Sequence, residues 1–147
     1  MSKKKVIISA CLLGEYCRYD GKQKRVNAVM EAFKEYEIIP FCPEAPLFGT
    51  PRERISVVKV GEQERIISDE SKLDVTQKLR DAVEAFCSQN TEVDAIVLKS
   101  KSPSCGYKTT PILDERGEML YLGNGIAAEI FLKRYPKITF RSELEFS

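Results

Sequence analysis

Lys5-Val-Ile-Ile-Ser-Ala10 is the stretch from which the fold is read. It is a short apolar run of strand type, and Cys11 stands directly behind it. Two later runs repeat the arrangement. Glu37-Ile-Ile-Pro-Phe41 reads as a second strand ended by Cys42-Pro-Glu44, and Ala95-Ile-Val-Leu98 as a third, left by the turn-rich Lys99-Ser-Lys-Ser-Pro-Ser-Cys-Gly106. Between the strands the period changes to helical. Val26, Val29, Met30 and Phe33 recur at i, i+3, i+4 and i+7, which predicts a helix over Lys24 to Tyr36. Val75, Leu79, Ala82, Val83, Phe86 and Cys87 form the stripe of a longer helix, Lys72 to Gln89. A further helix starts near Gly123-Asn-Gly125 and runs to Tyr135, where Pro136 stops it. Ile138-Thr-Phe140 closes the chain as a short strand.

Two hairpins interrupt this alternation. Ile55 to Val60 and Glu64 to Ile67 flank Gly61-Glu62, and Ile112-Leu113 and Met119 to Leu122 flank Asp114-Glu-Arg-Gly117. Pro43, Pro46 and Gly49-Thr-Pro51 mark a loop. Strands alternating with helices imply an α/β fold, three-layer α/β/α, with a mainly parallel, Rossmann-like sheet and short β-hairpin insertions. The length of 147 residues, without repeat or linker, suits one domain over 1–147.

Composition narrows the function. Lys and Arg total 23 against 22 Asp and Glu, so the surplus positive charge of a dedicated nucleic-acid binder is missing and no stable nucleic-acid complex is expected. No apolar run approaches the roughly 20 residues that span a bilayer, and no membrane partner is expected. Met1-Ser-Lys-Lys-Lys5 is basic, but the apolar stretch Val6 to Leu13 is interrupted by Ser9 and followed by Glu15 and Arg18. This reads as strand and loop rather than signal peptide, and the expected location is cytoplasmic. The oligomeric state is left open.

The chain contains no histidine. That excludes Ser-His-Asp and Cys-His catalysis, His-ligated zinc and c-type haem. Carboxylates, hydroxyls, any cofactor and five cysteines remain. An odd number of cysteines in a cytosolic-looking chain points away from a disulfide framework and toward metal or redox use.

Cys11, Cys42 and Cys105 each follow a core strand. In an open parallel sheet, ligands sit outside the carboxyl ends of the strands, so three cysteines from distant segments converge at one edge. Structural zinc wants four closed ligands, commonly from C-x-x-C pairs, and the chain has no such pair. An iron–sulfur cluster takes ligands singly from separate loops, and three cysteines on a [4Fe–4S] cube leave one iron open to a soft sulfur ligand. Buried cysteine also commonly just fills a core, so spacing alone leaves both readings standing. Cys87, on its helix's apolar stripe, is read as core. Cys17 is open between a fourth ligand, a reactive thiol and a packed side chain.

At these residues the chain resembles the thiouracil desulfurase family, a small bacterial and archaeal family long catalogued as a domain of unknown function. The resemblance rests on Ser9-Ala-Cys-Leu-Leu-Gly14, Cys17-Arg-Tyr-Asp-Gly21, Cys42-Pro-Glu44, Thr50-Pro-Arg52, Leu98-Lys-Ser-Lys-Ser-Pro-Ser-Cys-Gly106, and Gly123-Asn-Gly125 with Ser142-Glu143, in family order over nearly the whole chain. It implies a [4Fe–4S] cluster on Cys11, Cys42 and Cys105. It also implies a small-molecule thiolated nucleobase such as 2-thiouracil as substrate, with uracil and sulfide as products. The family's proposed catalytic side chains carry over to Glu44 and Ser102, and Ser104 and Asp20 become candidate substrate contacts. One departure is Ala45-Pro-Leu-Phe-Gly49, where the family usually has a glycine-rich stretch lying where it would line the pocket.

Each assignment has a plainer counterpart. Apart from the motif, Glu44 reads as a surface or structural carboxylate, and Ser102 as a turn serine before Pro103. Asp20 serves the substrate's amide edge, a turn, or a pair with Arg18. Lys99 and Lys101 bring positive charge to the site or stay solvated. Gly123-Asn124-Gly125 offers helix N–H groups to an anion or simply caps the helix. At the level of function, the alternatives are a cluster-bearing sulfur-transfer or redox-sensing module without nucleobase turnover, and a metal-free enzyme with Cys17 or Cys105 as nucleophile.

Overall fold

In a computed structural model, which describes residues 3–13, 26–49 and 53–146, the strands alternate with helices. The order is β1 (Lys5–Ser9), a 3₁₀ turn (Ala10–Leu13), α1 (Asn27–Ala32), β2 (Glu37–Phe41), α2 (Glu44–Phe48), β3 (Ile55–Val60), β4 (Gln63–Ser68) and α3 (Thr76–Gln89). Then come β5 (Ala95–Leu98), β6 (Thr110–Leu113), β7 (Met119–Gly123), α4 (Ile126–Arg134), β8 (Phe140–Ser142) and a closing 3₁₀ turn (Glu143–Glu145).

The first sheet has the order β2-β1-β5-β8, and every pairing in it is parallel. Val6, Ile7 and Ile8 of β1 are all fully buried because both faces of the sheet are covered. Alternation sorts the side chains. Ile7, Ile96 and Leu98 pack with Val83, Cys87, Ala127, Ala128 and Phe131 of α3 and α4. Val6, Ile8 and Val97 pack with Leu12, Val29 and Phe33 on the α1 side. Each fully buried side chain of this kind contributes about 1.5–3 kcal/mol. The three layers follow from that division, and Cys87 is a core residue beside Val83 and Phe86, as its stripe position implies.

Both expected hairpins form, but they do not stay separate. β3 pairs with β6 in parallel through Val57↔Ile112 and Val58↔Leu113, giving a second sheet of order β4-β3-β6-β7. Its buried face, Ile55, Val57, Ile66 and Ile112, lies against Val75 and Leu79 at the start of α3.

Several boundaries differ from the sequence reading, each for a local reason. α2 occupies a stretch read as loop. Proline costs little in a first helical turn, whose N–H groups have no partner in any case, so Pro46 is tolerated, and Gly49 at φ +79 ends the helix in the left-handed region. α3 starts at Thr76 rather than Lys72, because Ser68 and Leu73 close a turn and the Val75 N–H is spent on the Ile66 carbonyl. β8 covers Phe140–Ser142 rather than Ile138 to Phe140, since the Ile138 N–H still bonds to the Tyr135 carbonyl at the end of α4. Among the described residues, no helix is long and apolar enough to cross a membrane.

Phe131 ties the layers together. Its ring lies 5.0 Å from Phe41, 5.7 Å from Tyr135 and 6.1 Å from Phe86, centroid to centroid, and it is fully buried. Phe131→Ala should destabilise the protein by about 3–5 kcal/mol. Leu73→Ala, at a side chain 62% exposed, should stay within about 0.5 kcal/mol. Urea unfolding of the two variants checks the contrast.

Candidate functional site

Because β2, β1 and β5 are neighbours and parallel, the residues that follow them emerge at one edge of the sheet. Cys11 lies in the 3₁₀ turn directly after β1 and is buried. Cys42 directly follows β2 and is half-buried. Cys105 lies in the loop leaving β5 and is 5% exposed. All three are free cysteines. Cys17 and Asp20 lie outside the described residues.

The Cys105 loop is folded around Ser102. The Ser102 hydroxyl accepts the Cys105 N–H at 3.0 Å and the Ser104 N–H at 3.2 Å. The Ser102 carbonyl accepts the Gly106 N–H at 2.9 Å and the Thr110 hydroxyl at 2.6 Å. This packing leaves no room at position 106, where a Cβ would stand 2.0 Å from the Thr110 hydroxyl oxygen.

α4 closes over the same loop. The Ala127 N–H donates to the Ser104 carbonyl and the Gly125 N–H to the Gly106 carbonyl, both at 2.7 Å. The start of α4 therefore serves this loop, and the anion reading of Gly123-Asn124-Gly125 gives way to a packing role. Asn124 is spent as well, accepting the Lys108 N–H and donating to Glu129. At Gly125 a Cβ would stand 2.6 Å from the Ser104 carbonyl carbon and 2.8 Å from the Cys105 nitrogen. Neither atom belongs to a side chain that can swing away. Gly106 and Gly125 are thus positions where the packing of this loop requires glycine.

Glu44 opens α2 and is 8% exposed. Its Oε2 accepts the Ser104 hydroxyl at 2.5 Å. Ser104 is 1% exposed, and its hydroxyl lies 3.2 Å from that of Ser102 and 3.7 Å from the Cys105 sulfur. A hydroxyl has a single proton. With the Ser104 proton directed to Glu44, the Ser102 hydroxyl donates to Ser104, and the chain runs Ser102→Ser104→Glu44. The structure thus brings Glu44, Ser102 and Ser104 together beside Cys105. Ser104 faces Glu44 from within the protein rather than from the pocket surface. Lys99 is half-buried and paired with Glu143, so it is not a solvated lysine, whereas Lys101 is exposed at φ 64.

Burial pushes the Cys105 thiol up to about 12; the neighbouring Cys42 and Glu44 add to this, and hydrogen bonds with Ser9 and Ser104 only partly oppose it. Cys105 is thus a neutral thiol in the metal-free chain, and a metal bound to it would displace that proton. Among the described residues, no group of three Cys, Asp or Glu side chains is gathered as a single metal ion requires. Thiols on separate loops suit a cluster that distributes its ligands over separate irons.

A family model described as 2-thiouracil desulfurase matches residues 6–143. The chain is 29% identical over 110 residues to the uncharacterized protein YbbK of Bacillus subtilis (strain 168), covering 69% of this chain and 72% of that protein. It is also similar to the solved structure of a [4Fe-4S]-dependent thiouracil desulfidase, TudS. That match has a TM-score of 0.71 and 32% identity, covering 97% of this chain and 93% of the other.

The thiolate is the reactive form of cysteine, and an ordinary thiol titrates near about 8.5. Cys105 gains thiolate only toward about 12. In metal-free protein, iodoacetamide should label Cys42 before Cys105, and moving from neutral pH to about 9 should not unlock Cys105. Gly125→Ala forces the Ser104–Cys105 backbone away from α4 and should make Cys105 label readily. Peptide mass spectrometry reads both results.

Proposed function

We propose that this chain, which belongs to the 2-thiouracil desulfurase family, hydrolyses a thiolated pyrimidine of the 2-thiouracil kind to uracil and sulfide at a [4Fe–4S] cluster held by Cys11, Cys42 and Cys105. The observation that carries the reading is the buried chain Ser102→Ser104→Glu44, which ends on a carboxylate beside the thiols of Cys42 and Cys105. When bound, the cluster supplies an iron without a protein ligand, a thiophilic Lewis acid for the C=S sulfur.

The reaction exchanges one atom and transfers no electrons. The water oxygen bonds to the thiocarbonyl carbon, the C–S bond breaks, and the two water protons leave with sulfur as hydrogen sulfide. Without histidine, the proton of the attacking water needs another acceptor, and Glu44 takes that role. Ser104 holds the carboxylate in one orientation by its 2.5 Å hydrogen bond and so serves substrate binding through Glu44. Ser102, half-buried at the outer end of the chain, orients the pyrimidine or returns the proton. Asp20 is assigned to the amide edge of the base. Burial around Glu44 and Cys105 excludes bulk water, so the proton moves along these hydroxyls.

Removing a positioned general base costs about 10²–10⁴-fold in rate. Glu44→Gln should assemble the cluster, bind 2-thiouracil and release sulfide slower by that factor, with iron and sulfide content measured in the same samples. Turnover at the wild-type rate with a full cluster would remove Glu44 from the base role. Sulfide release from a panel of thiolated bases by the wild-type protein tests the substrate class directly.

A further inference from the structure

The two strands that flank β5 each lend a side chain to the start of the Cys105 loop. From β1, the Ser9 hydroxyl accepts the Lys99 N–H at 2.9 Å and also hydrogen-bonds the Cys105 thiol. From the turn after β8, Glu143 accepts the Ser100 N–H at 2.7 Å on Oε1 and the Ser100 hydroxyl at 2.8 Å on Oε2. The Lys99 ammonium stands 3.3 Å from the same Oε2 and donates to the Ser100 carbonyl at 2.9 Å. Ser100 is 4% exposed, so water has little access to replace the carboxylate on its two donors. Burial by itself would raise the Glu143 carboxyl, but the Ser100 N–H and hydroxyl and the Lys99 charge outweigh it and hold the group below its ordinary range.

The turn that carries Glu143 has its own cap, separate from the bonds of the Glu143 side chain. Ser142 caps the closing 3₁₀ turn by accepting the Leu144 N–H, and Glu145 reaches back to the Ser142 N–H at 2.9 Å. The capping pair closes the turn, while the Glu143 side chain is anchored on Ser100 and Lys99 at the exit of β5. Two residues beyond Ser100 the loop makes its turn on Ser102, and three further on it presents Cys105.

We propose that Glu143 is a positioning residue for the site: it sets the direction in which the loop leaves β5, and so holds Cys105, Ser102 and Ser104 in register with Glu44. The proposal rests on the reading of Cys105 as a cluster ligand. Glu143 bonds neither to Cys105 nor to Glu44. It acts through Ser100.

Three full-length variants test it: Glu143→Ala, Glu143→Gln and Glu145→Ala. The Glu145 variant loses a capping bond in the same turn and serves as the control for plain destabilisation. After anaerobic reconstitution, iron retention against a chelator and the electron paramagnetic resonance spectrum of the reduced protein are recorded together with unfolding midpoints. Outer partners of metal ligands typically cost about 10–100-fold in metal affinity, and Glu143→Ala should lower retention within that range and alter the spectrum. Glu143→Gln keeps a carbonyl acceptor for the Ser100 N–H and should recover part of the loss. Glu145→Ala should lower the midpoint yet leave retention and spectrum as in the wild type. In the metal-free proteins, Cys105 should label with iodoacetamide faster in Glu143→Ala than in Glu145→Ala. Wild-type retention, spectrum and labelling in Glu143→Ala would overturn the proposal, as would equal effects of the alanine variants at 143 and 145. If the wild type takes up no iron, the cluster reading fails instead, and the labelling comparison still decides the role of Glu143.

Discussion

Strand β1 is paired in parallel on both sides, Val6 to Ile38 of β2 and Val6 to Ala95 of β5. A slip of one residue in either pairing would turn Ile7 toward α1 and Val6 and Ile8 toward α3 and α4, exchanging the two cores. The register is therefore fixed by burial along the whole strand. The same register fixes where the chain leaves the sheet after Ser9, Phe41 and Leu98. That Cys11, Cys42 and Cys105 all leave the sheet at the same edge is thus a consequence of hydrophobic packing several residues away.

That edge gathers groups that are costly to bury. Cys105, Glu44, Ser104 and Ser100 all lie below one-tenth exposure. The cost is met by partners. Among the described residues, no buried side-chain nitrogen or oxygen lacks a hydrogen bond. A satisfied buried network is rigid, because moving any member strands the others. The remaining electrostatic cost falls on Cys105, whose thiol is held protonated by its own burial and by Cys42 and Glu44. A core built for stability alone would place an apolar side chain there. Here a thiol stands next to a carboxylate instead, and the hydrogen bonds of Ser9 and Ser104 offset part of that cost.

The sequence made some of this legible and hid the rest. Apolar runs followed closely by cysteine at Cys11 and Cys42, and by a turn-rich loop carrying Cys105, placed three thiols on strand exits, since strand ends and the ligand-binding edge of a parallel sheet coincide. The stripe through Val83 and Cys87 placed Cys87 in the core by periodicity. Both hairpins could be read from their turn residues. Their union through Val57 and Ile112 could not, because a parallel pairing across more than fifty residues leaves no local signal. α2 was hidden by Pro43 before it and Pro46 within it; proline marks loops in most settings but is tolerated in a first helical turn. The tasks of Gly125, Glu143 and Ser104 were hidden because each depends on a partner far along the chain. Gly125 touches Ser104, Glu143 holds Ser100, and Ser104 reaches Glu44 across 60 positions.

α4 joins the stability of the fold to the geometry of the site. Ala127 and Ala128 in its first turns are fully buried against the sheet, and Phe131 one turn later fills the centre of the aromatic core. The N–H of Ala127 carries the Ser104 carbonyl. A helix is stiff along its axis, so the depth at which Phe131 seats sets how far the N-terminus of α4 projects over the Cys105 loop. Gly125 removes the one Cβ that would hold helix and loop apart. Core packing on one side of the sheet and the position of Cys105 are therefore not independent. A substitution that tilts α4 acts on the site without touching any residue in it. The α1 side meets the proposed site at a different residue, Cys11, which packs with Val6, Ile8, Val29 and Phe33. The Cys105 loop is thus tied to the α3–α4 layer, and the cost of perturbing that layer falls on Cys105, Ser104 and, through Ser104, Glu44.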